Sequence, residues 1–391
     1  MNDQISETKA IEDGRQNQEG QARNALSQEA RLDRTPPLER NTGKNSGSAK
    51  SLPVIEVPAD AELDSKSWRR PLEYKKGVPG EYMPTISTRV SPDQRVAAAL
   101  DTIKADDVKT RINQISGAED VVINGKTTRL ESRSTFGPGY QLGLEYFKEK
   151  FEKDGYKVVM DSYTRSGETY HNLRAIKEGK SKPNEVVMYG AHIDSTAGNQ
   201  DEAETKAPGA DDDGSGAVAL SEIAHAMKDL PLDRTVVFSL FSGEEQGLWG
   251  SRAMVEQYKQ SKDKIVGMYQ MDMIGYAPDS NTVEIHDTSS KPGPHAMTDT
   301  LNAKQHDYNL DLKVYAAHND ELNNRSDHYN FLRAGIPAVL ISEPYDTAAK
   351  ENPNYHSVRD TADQVNIPFV VNVSKMAAAA GIELAGLRKA N

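Results

Sequence analysis

Pro208-Gly209-Ala210-Asp211-Asp212-Asp213-Gly214-Ser215-Gly216 sets three acidic side chains next to one another in a glycine-bounded loop. An apolar pattern of helical spacing follows at once through Ala217, Val218, Leu220, Ile223, Ala224 and Met227. The loop therefore reads as a helix N-terminus, where unpaired backbone N–H groups accept negative charge. Three adjacent carboxylates repel one another unless a cation offsets them. A solvated acidic turn is the ordinary alternative. An EF-hand loop fails on register: with Gly214 in sixth place, the first and twelfth places fall to Gly209 and Leu220. A metal-binding role requires histidine and carboxylate partners elsewhere in the chain.

On either side of this loop, short apolar runs alternate with helical patterns. Val186-Val187-Met188-Tyr189-Gly190 and Thr235–Phe241 read as strands buried on both faces. Lys157–Tyr163, His171–Ile176, Ile265–Met271, Thr282–Ile285, Leu312–Tyr315 and Ala338–Ile341 are further strands. Helices are expected from Ser91 through Val108, over Tyr140–Lys153, after Gly214, through Leu248 to Tyr258, and over Pro294–Tyr308, Asp327–Ala334 and Phe369–Leu387. Ser195 to Pro208 reads as a long polar loop. The expected architecture is α/β: a single mixed, mostly parallel sheet with helices on both faces, occupying residues 91–391.

Ahead of it, residues 1–67 are rich in Gln, Asn, Glu, Arg and Ser and read as a disordered polar tail. Residues 68–90 gain Trp68, Tyr74, Tyr82 and several prolines and read as an extended linker. The chain has 391 residues, a formal net charge of −12 and no cysteine. The acidic balance argues against nucleic acid as a partner. Without thiolates, any metal must be held by histidine and carboxylate. No apolar run reaches the length of a membrane span. No apolar leader region follows Met1, so the expected location is the cytoplasm, or outside it by a leaderless route.

In open α/β sheets, sites gather beyond the carboxyl ends of strands. His192 and Asp194 lie at the end of one buried strand, suiting a metal ligand and the carboxylate that orients it. Asp212 in the acidic loop is the preferred ligand there, since one carboxylate can bridge two metals. Asp211 and Asp213 either face solvent or make local hydrogen bonds. Glu244 and Glu245 follow the Thr235–Phe241 strand; adjacent acids divide their work, one on metal and one on protons. Asp272 sits among apolar residues, where a lone carboxylate is costly without a partner. His356 precedes the closing helix. Each has an ordinary reading as a capping, turn or packing residue. Together, His192, Asp212, Glu245, Asp272 and His356 form a nitrogen and oxygen set that suits zinc.

The segments GAHIDS, PGADDDGSG, FSGEEQGLWGS, MDMIGY, SDHYNFLRAGIPA and YHSVRDT resemble those of the M28 family of co-catalytic zinc aminopeptidases. The resemblance runs from about His171 to the closing helix, and the first eighty or so residues lie outside it. It implies a zinc exopeptidase-like fold and two Zn2+ per chain, His192 and Asp272 on one, Glu245 and His356 on the other. Asp212 would bridge them, followed by a cis peptide to Asp213. It further implies Glu244 as general base, Asp194 as the partner of His192, Tyr355 beside the oxyanion, and Arg325 near the substrate. Met273 is a candidate wall of the side-chain pocket, with a core methionine as the alternative. His328 has no metal role in the family and reads as a packing or hydrogen-bonding histidine. The implied substrates are peptides with a free N-terminus. A zinc carboxypeptidase or dipeptidase, a single-zinc glutaminyl cyclase and an inactive binding protein are the competing readings.

Overall fold

The computed structural model describes residues 51–58, 92–278, 281–287, 292–317, 324–345 and 352–389. Its strands are β1 (Ile55–Glu56), β2 (Val121–Ile123), β3 (Lys126–Thr128), β4 (Lys157–Arg165), β5 (Glu168–Lys177), β6 (Lys182–His192), β7 (Arg234–Phe241), β8 (Lys264–Met271), β9 (Thr282–His286), β10 (Lys313–Ala317) and β11 (Ala338–Ser342). Its helices are α1 (Gln94–Leu100), α2 (Ala105–Ile115), α3 (Gly139–Lys153), α4 (Gln200–Thr205), α5 (Gly214–Met227), α6 (Trp249–Lys259), α7 (Pro292–Asp307), α8 (His328–Arg333) and α9 (Ile367–Ala385).

Nine strands form one sheet in the order β1-β4-β5-β7-β6-β8-β11-β9-β10. The pairs β1/β4, β7/β6, β6/β8, β8/β11 and β9/β10 are parallel. The pairs β4/β5, β5/β7 and β11/β9 are antiparallel. The sheet is thus mixed and mostly parallel, as the apolar runs suggest. In β6, Val187, Tyr189 and Ala191 pack beneath α5 and α9, while Val186 and Met188 pack on the opposite face with α6 and α8. Both faces are covered, so the strand is apolar at every position and not only at alternate ones. Among the described residues, α9 alone is long and apolar enough to cross a membrane, and it is a mostly buried helix packed on α5.

Several expectations need correction. The first expected helix is two helices, broken where Thr102 turns its hydroxyl back onto Ala99 O (2.6 Å). The polar loop after Ser195 contains a helical turn, α4, capped by the Asn199 side chain. A hairpin, β2–β3, was not anticipated, although Asn124 and Gly125 adopt the two positive φ angles of its tight turn. Residues 51–58 lie within the expected disordered tail, yet they are seated on the sheet edge through β1. The rest of that tail and the expected linker fall outside the described residues.

Candidate metal centre

β7, β6 and β8 are adjacent and parallel, so their carboxyl ends share one edge. His192 is the last residue of β6, Glu244 and Glu245 follow β7 in a tight turn, and Asp272 follows β8 directly. The acidic loop enters this edge from the N-terminus of α5, and His356 arrives from the loop before α9. Five side chains distant in sequence therefore meet.

Asp212 lies at the middle of the group. Its Oδ1 is 3.1 Å from His192 Nε2, and its Oδ2 is 3.2 Å from His356 Nε2. Asp272 Oδ1 is 3.5 Å from the same His192 nitrogen, and Glu245 Oε2 is 3.1 Å from the same His356 nitrogen. The cluster has two halves, each with one imidazole and one carboxylate, sharing the two oxygens of Asp212. The peptide between Asp212 and Asp213 is cis, as the resemblance implies.

The two flanking aspartates are committed elsewhere, and neither faces solvent. Asp213 caps α5 by accepting from Gly216 N (2.9 Å) and also accepts from His192 N (3.0 Å) and Met273 N (3.4 Å). It lies within reach of His192 and Asp272 as a third ligand. With its oxygens already bound to three backbone N–H groups, it is the weaker candidate beside Asp212. Asp211 accepts from Gly275 N (2.7 Å) and Asn352 Nδ2 (2.7 Å). Asp360 receives the N–H groups of Asp211 and Asp212, both at 3.0 Å, and so holds the loop in place.

His192 Nδ1 is 3.0 Å from the carbonyl oxygen of Asp194. A carbonyl only accepts, so Nδ1 carries a proton, and Nε2 is the nitrogen turned into the cluster. The expected partner is the Asp194 carboxylate, but this lies 3.8 Å away. That carboxylate instead accepts from Glu244 N and Glu245 N, each at 3.2 Å, and from Thr135 Oγ1 at 2.7 Å. Asp194 therefore orients the imidazole through its main chain and the glutamate turn through its side chain.

Burial depresses the two imidazoles, but neighbouring carboxylates outweigh it. Asp272 and Glu244 raise His192 well above its ordinary pKa, and Glu245 and Asp212 raise His356 to about 10. Asp212 is held below the usual carboxylate range by hydrogen bonds to both imidazoles, against the effect of burial. Burial pushes Glu245 up to about 7 and Glu244 well above its ordinary value. The centre demands positive charge, and among the described residues no lysine or arginine pairs with any of its five members. Glu245 Oε1 is buried with no hydrogen-bond partner. A donor set of two imidazoles and three carboxylates, one of them shared, fits a pair of divalent cations such as zinc.

Tyr355 stacks on His356 with ring centroids 3.7 Å apart and is 41 % exposed. Desolvation and the carboxylates of Asp212, Glu245 and Glu244 keep its phenol well above the ordinary pKa, with Arg325 opposing them. Arg325 and Met273 are half-buried. Met273 takes a left-handed φ of 55°, and His356 and Leu248 share that conformation at 50° and 60°. Bulky residues avoid this region, so these three positions are strained. His328 is fully buried, lowered to about 3 by burial and by His286, and its ring nitrogens have no partner. It packs as a neutral ring.

Sequence reasoning missed Arg133. This residue is fully buried beneath the acidic loop. Its guanidinium donates to Ile193 O (2.9 Å), Ile115 O (2.7 Å), Pro208 O (2.7 Å) and Gly209 O (2.8 Å). One side chain thus ties the end of α2, the exit from β6 and the start of the acidic loop. The partners lie far apart in sequence, so no local pattern announces them.

A model of peptidase family M28 matches residues 172–381. The chain belongs to that family. It is 32 % identical over 222 residues to a probable leucine aminopeptidase of Arthroderma otae, covering 55 % of this chain and 57 % of that protein. The chain thus spans less than two thirds of the length of this curated relative. Among solved structures, its fold resembles the Legionella pneumophila LapA aminopeptidase, with a TM-score of 0.62 at 22 % identity over 78 % of this chain and 79 % of that one. It also resembles a glutaminyl cyclase of Fimbriiglobus ruber, with a TM-score of 0.58 at 21 % identity over 72 % and 95 % of the respective chains.

Proposed function

We propose that this M28 chain is an aminopeptidase that removes N-terminal residues from peptides, using two zinc ions held by His192 and Asp272, by Glu245 and His356, and by Asp212 between them. The observation that carries the reading is the placement of the two Asp212 oxygens, 3.1 and 3.2 Å from two different imidazoles, each with its own additional carboxylate. A single-metal cyclase has no need of two complete half-sites. Bound there, the ions would supply electrophilic activation of the scissile carbonyl and acidify a water molecule.

The protein's own groups account for the remaining steps. The Glu244 carboxyl is buried beside the cluster, and its main chain is fixed by Asp194, so it is suited to take a proton from water and deliver it to the departing amine. Tyr355 remains protonated at neutral pH and can donate a hydrogen bond to the oxyanion. The acidic surroundings suit a substrate's cationic α-amine and disfavour its carboxylate end, which supports action at the N-terminus over carboxypeptidase action. Met273 would line the pocket for the first side chain, and Arg325 would stand near Tyr355 on the substrate side.

The test compares amino-acid p-nitroanilides with N-blocked peptides on the zinc-loaded protein, alongside Glu244→Gln. Hydrolysis restricted to free N-termini is expected, with kcat for Glu244→Gln lowered about 10²–10⁴-fold at unchanged zinc content. Cleavage of N-blocked substrates, or wild-type turnover by the variant, would overturn the reading.

A further inference from the structure

The turn that carries Glu244 and Glu245 is held from two sides. From within, the Asp194 carboxylate takes both backbone N–H groups. From outside, Tyr163 donates its hydroxyl to Ser242 O at 3.0 Å, immediately before the turn. Trp249 N donates to Gly243 O at 3.0 Å, and the indole lies against Gly243. A Cβ built on Gly243 would stand 3.0 Å from the indole and 3.2 Å from the Tyr163 hydroxyl, and the residue's φ is +68°. Gly243 is therefore fixed by conformation and by contact, and Glu244 is the next residue.

Tyr163 and Trp249 are covered in turn by the segment 51–58. Val57 is 1 % exposed and forms one apolar cluster with Tyr163, Trp249 and Ala253. The segment is gripped along its length: Leu52 N donates to Asp161 Oδ1 (3.1 Å), Gln257 Nε2 to Pro53 O (2.8 Å), Val57 N to Thr164 O (2.8 Å) and Arg165 Nη1 to Pro58 O (2.6 Å). Arg165 also lies over the Trp249 ring at 4.3 Å. Gln257 and Asp161 are themselves buried. Covering the edge strand β4 would need only backbone pairing. Here buried side chains on β4 and α6 also bind the segment, Asp161 while paired with Arg174 and Gln257 while donating to Ser162 O.

We infer that residues 51–58 are a working part of the catalytic unit, a brace whose Val57 acts through Tyr163 and Trp249 to fix Gly243 and with it the Glu244 carboxylate. Val57 is a positioning residue: it touches no reacting atom. The inference rests on the aminopeptidase reading for its kinetic consequence, but the contact itself has an independent readout. Small displacements of a general base lower kcat far more than they alter substrate affinity.

The experiment uses the full-length chain and leucine p-nitroanilide, with Val57→Asp, Val57→Ile and, as control, Val54→Ala, whose side chain is exposed. Val57→Asp is expected to lower kcat about tenfold, with zinc content unchanged and KM within about twofold of wild type. Val57→Ile should restore kcat, and Val54→Ala should match wild type. If Val57→Asp does not fold, Val57→Ala should still lower kcat about threefold at full zinc content. The chain has two tryptophans, Trp68 and Trp249, so a Trp68→Phe background makes fluorescence a report on Trp249 alone. Val57→Asp should shift that emission. An unshifted emission, or a wild-type kcat per zinc-loaded molecule in the Val57 variants, would overturn the brace. A wild type that cleaves no aminoacyl substrate, with the emission shift intact, would instead overturn the aminopeptidase reading.

Discussion

Replacing Arg133 with Met keeps most of the side-chain volume and removes every hydrogen bond that the guanidinium makes. Gly209 O has a second donor in Gly214 N (2.9 Å) and remains paired. Among the described residues, Ile115 O, Ile193 O and Pro208 O depend on Arg133. Stripping a buried carbonyl of its donor costs about 1–3 kcal/mol, so three cost about 3–9 kcal/mol. The central value, ~6 kcal/mol, is a large fraction of the total stability of about 5–15 kcal/mol typical of a domain. Arg133→Lys keeps the charge near Asp194, Asp212, Asp213 and Asp360 but cannot reach three segments at once. About 2–4 kcal/mol should be lost there. The assay is equilibrium urea unfolding at fixed zinc concentration. With an m-value of about 3 kcal/mol per M, Arg133→Met should move the midpoint down by ~2 M, and Arg133→Lys by roughly half as much. A Met variant whose midpoint stays within ~0.3 M of wild type would refute the reasoning: water would then be satisfying those carbonyls.

Three more predictions concern pH, metal and packing. Burial pushes the Glu222 carboxyl up to about 7 against the pull of Arg111, so ionisation opposes the folded state. Its stabilising contribution is whole below the unfolded value near 4.5 and is lost as pH rises through about 7. Glu222→Gln should therefore gain on wild type between pH 4.5 and 7 in urea midpoints, and a relative loss over that window would contradict the sign. Chelating the metal should lower the melting temperature by about 4 °C for each site held at a hundredfold its Kd, taking about 2.7 kcal/mol per site and about 0.6 kcal/mol per degree for roughly 300 folded residues. Calorimetry with and without chelator checks this, and an unmoved transition would argue against sites at the fold's centre. In β6, a Cβ on Gly190 would lie 2.4 Å from Gln270 Oε1, 2.6 Å from Met268 Cε and 2.7 Å from Phe241 Cε2, so Gly190→Ala should destabilise by about 1–3 kcal/mol in thermal or urea unfolding.

The sequence discloses the centre of this fold more fully than its periphery. β6, β7 and β8 are apolar without alternation because both faces are covered, and that pattern is local and legible. The acidic loop reads correctly as a helix entry because its capping residue and the apolar helix are contiguous. The division of labour among Asp211, Asp212 and Asp213 could not be read by the same means. It depends on Gly275, His192, Met273 and Asn352, none of them near in sequence. Arg133 and the Asp194 carboxylate are hidden for the same reason, since their partners, mostly backbone groups, are delivered by the tertiary fold. The Asn124–Gly125 hairpin carried a usable signal that the surrounding polarity obscured. Val54-Ile55-Glu56-Val57 carried another, a four-residue patch whose meaning disappears when averaged over a polar tail.

Because a single carboxylate serves both halves of the centre, the halves cannot be tuned separately. A rotation of the Asp212 side chain that suits a larger ion on the His192 side withdraws the other oxygen from the His356 side. If the centre holds two ions as proposed, exchange of one should alter the grip on its neighbour, and attempts to install two dissimilar metals will meet this shared hinge before they meet any difference in ligand chemistry.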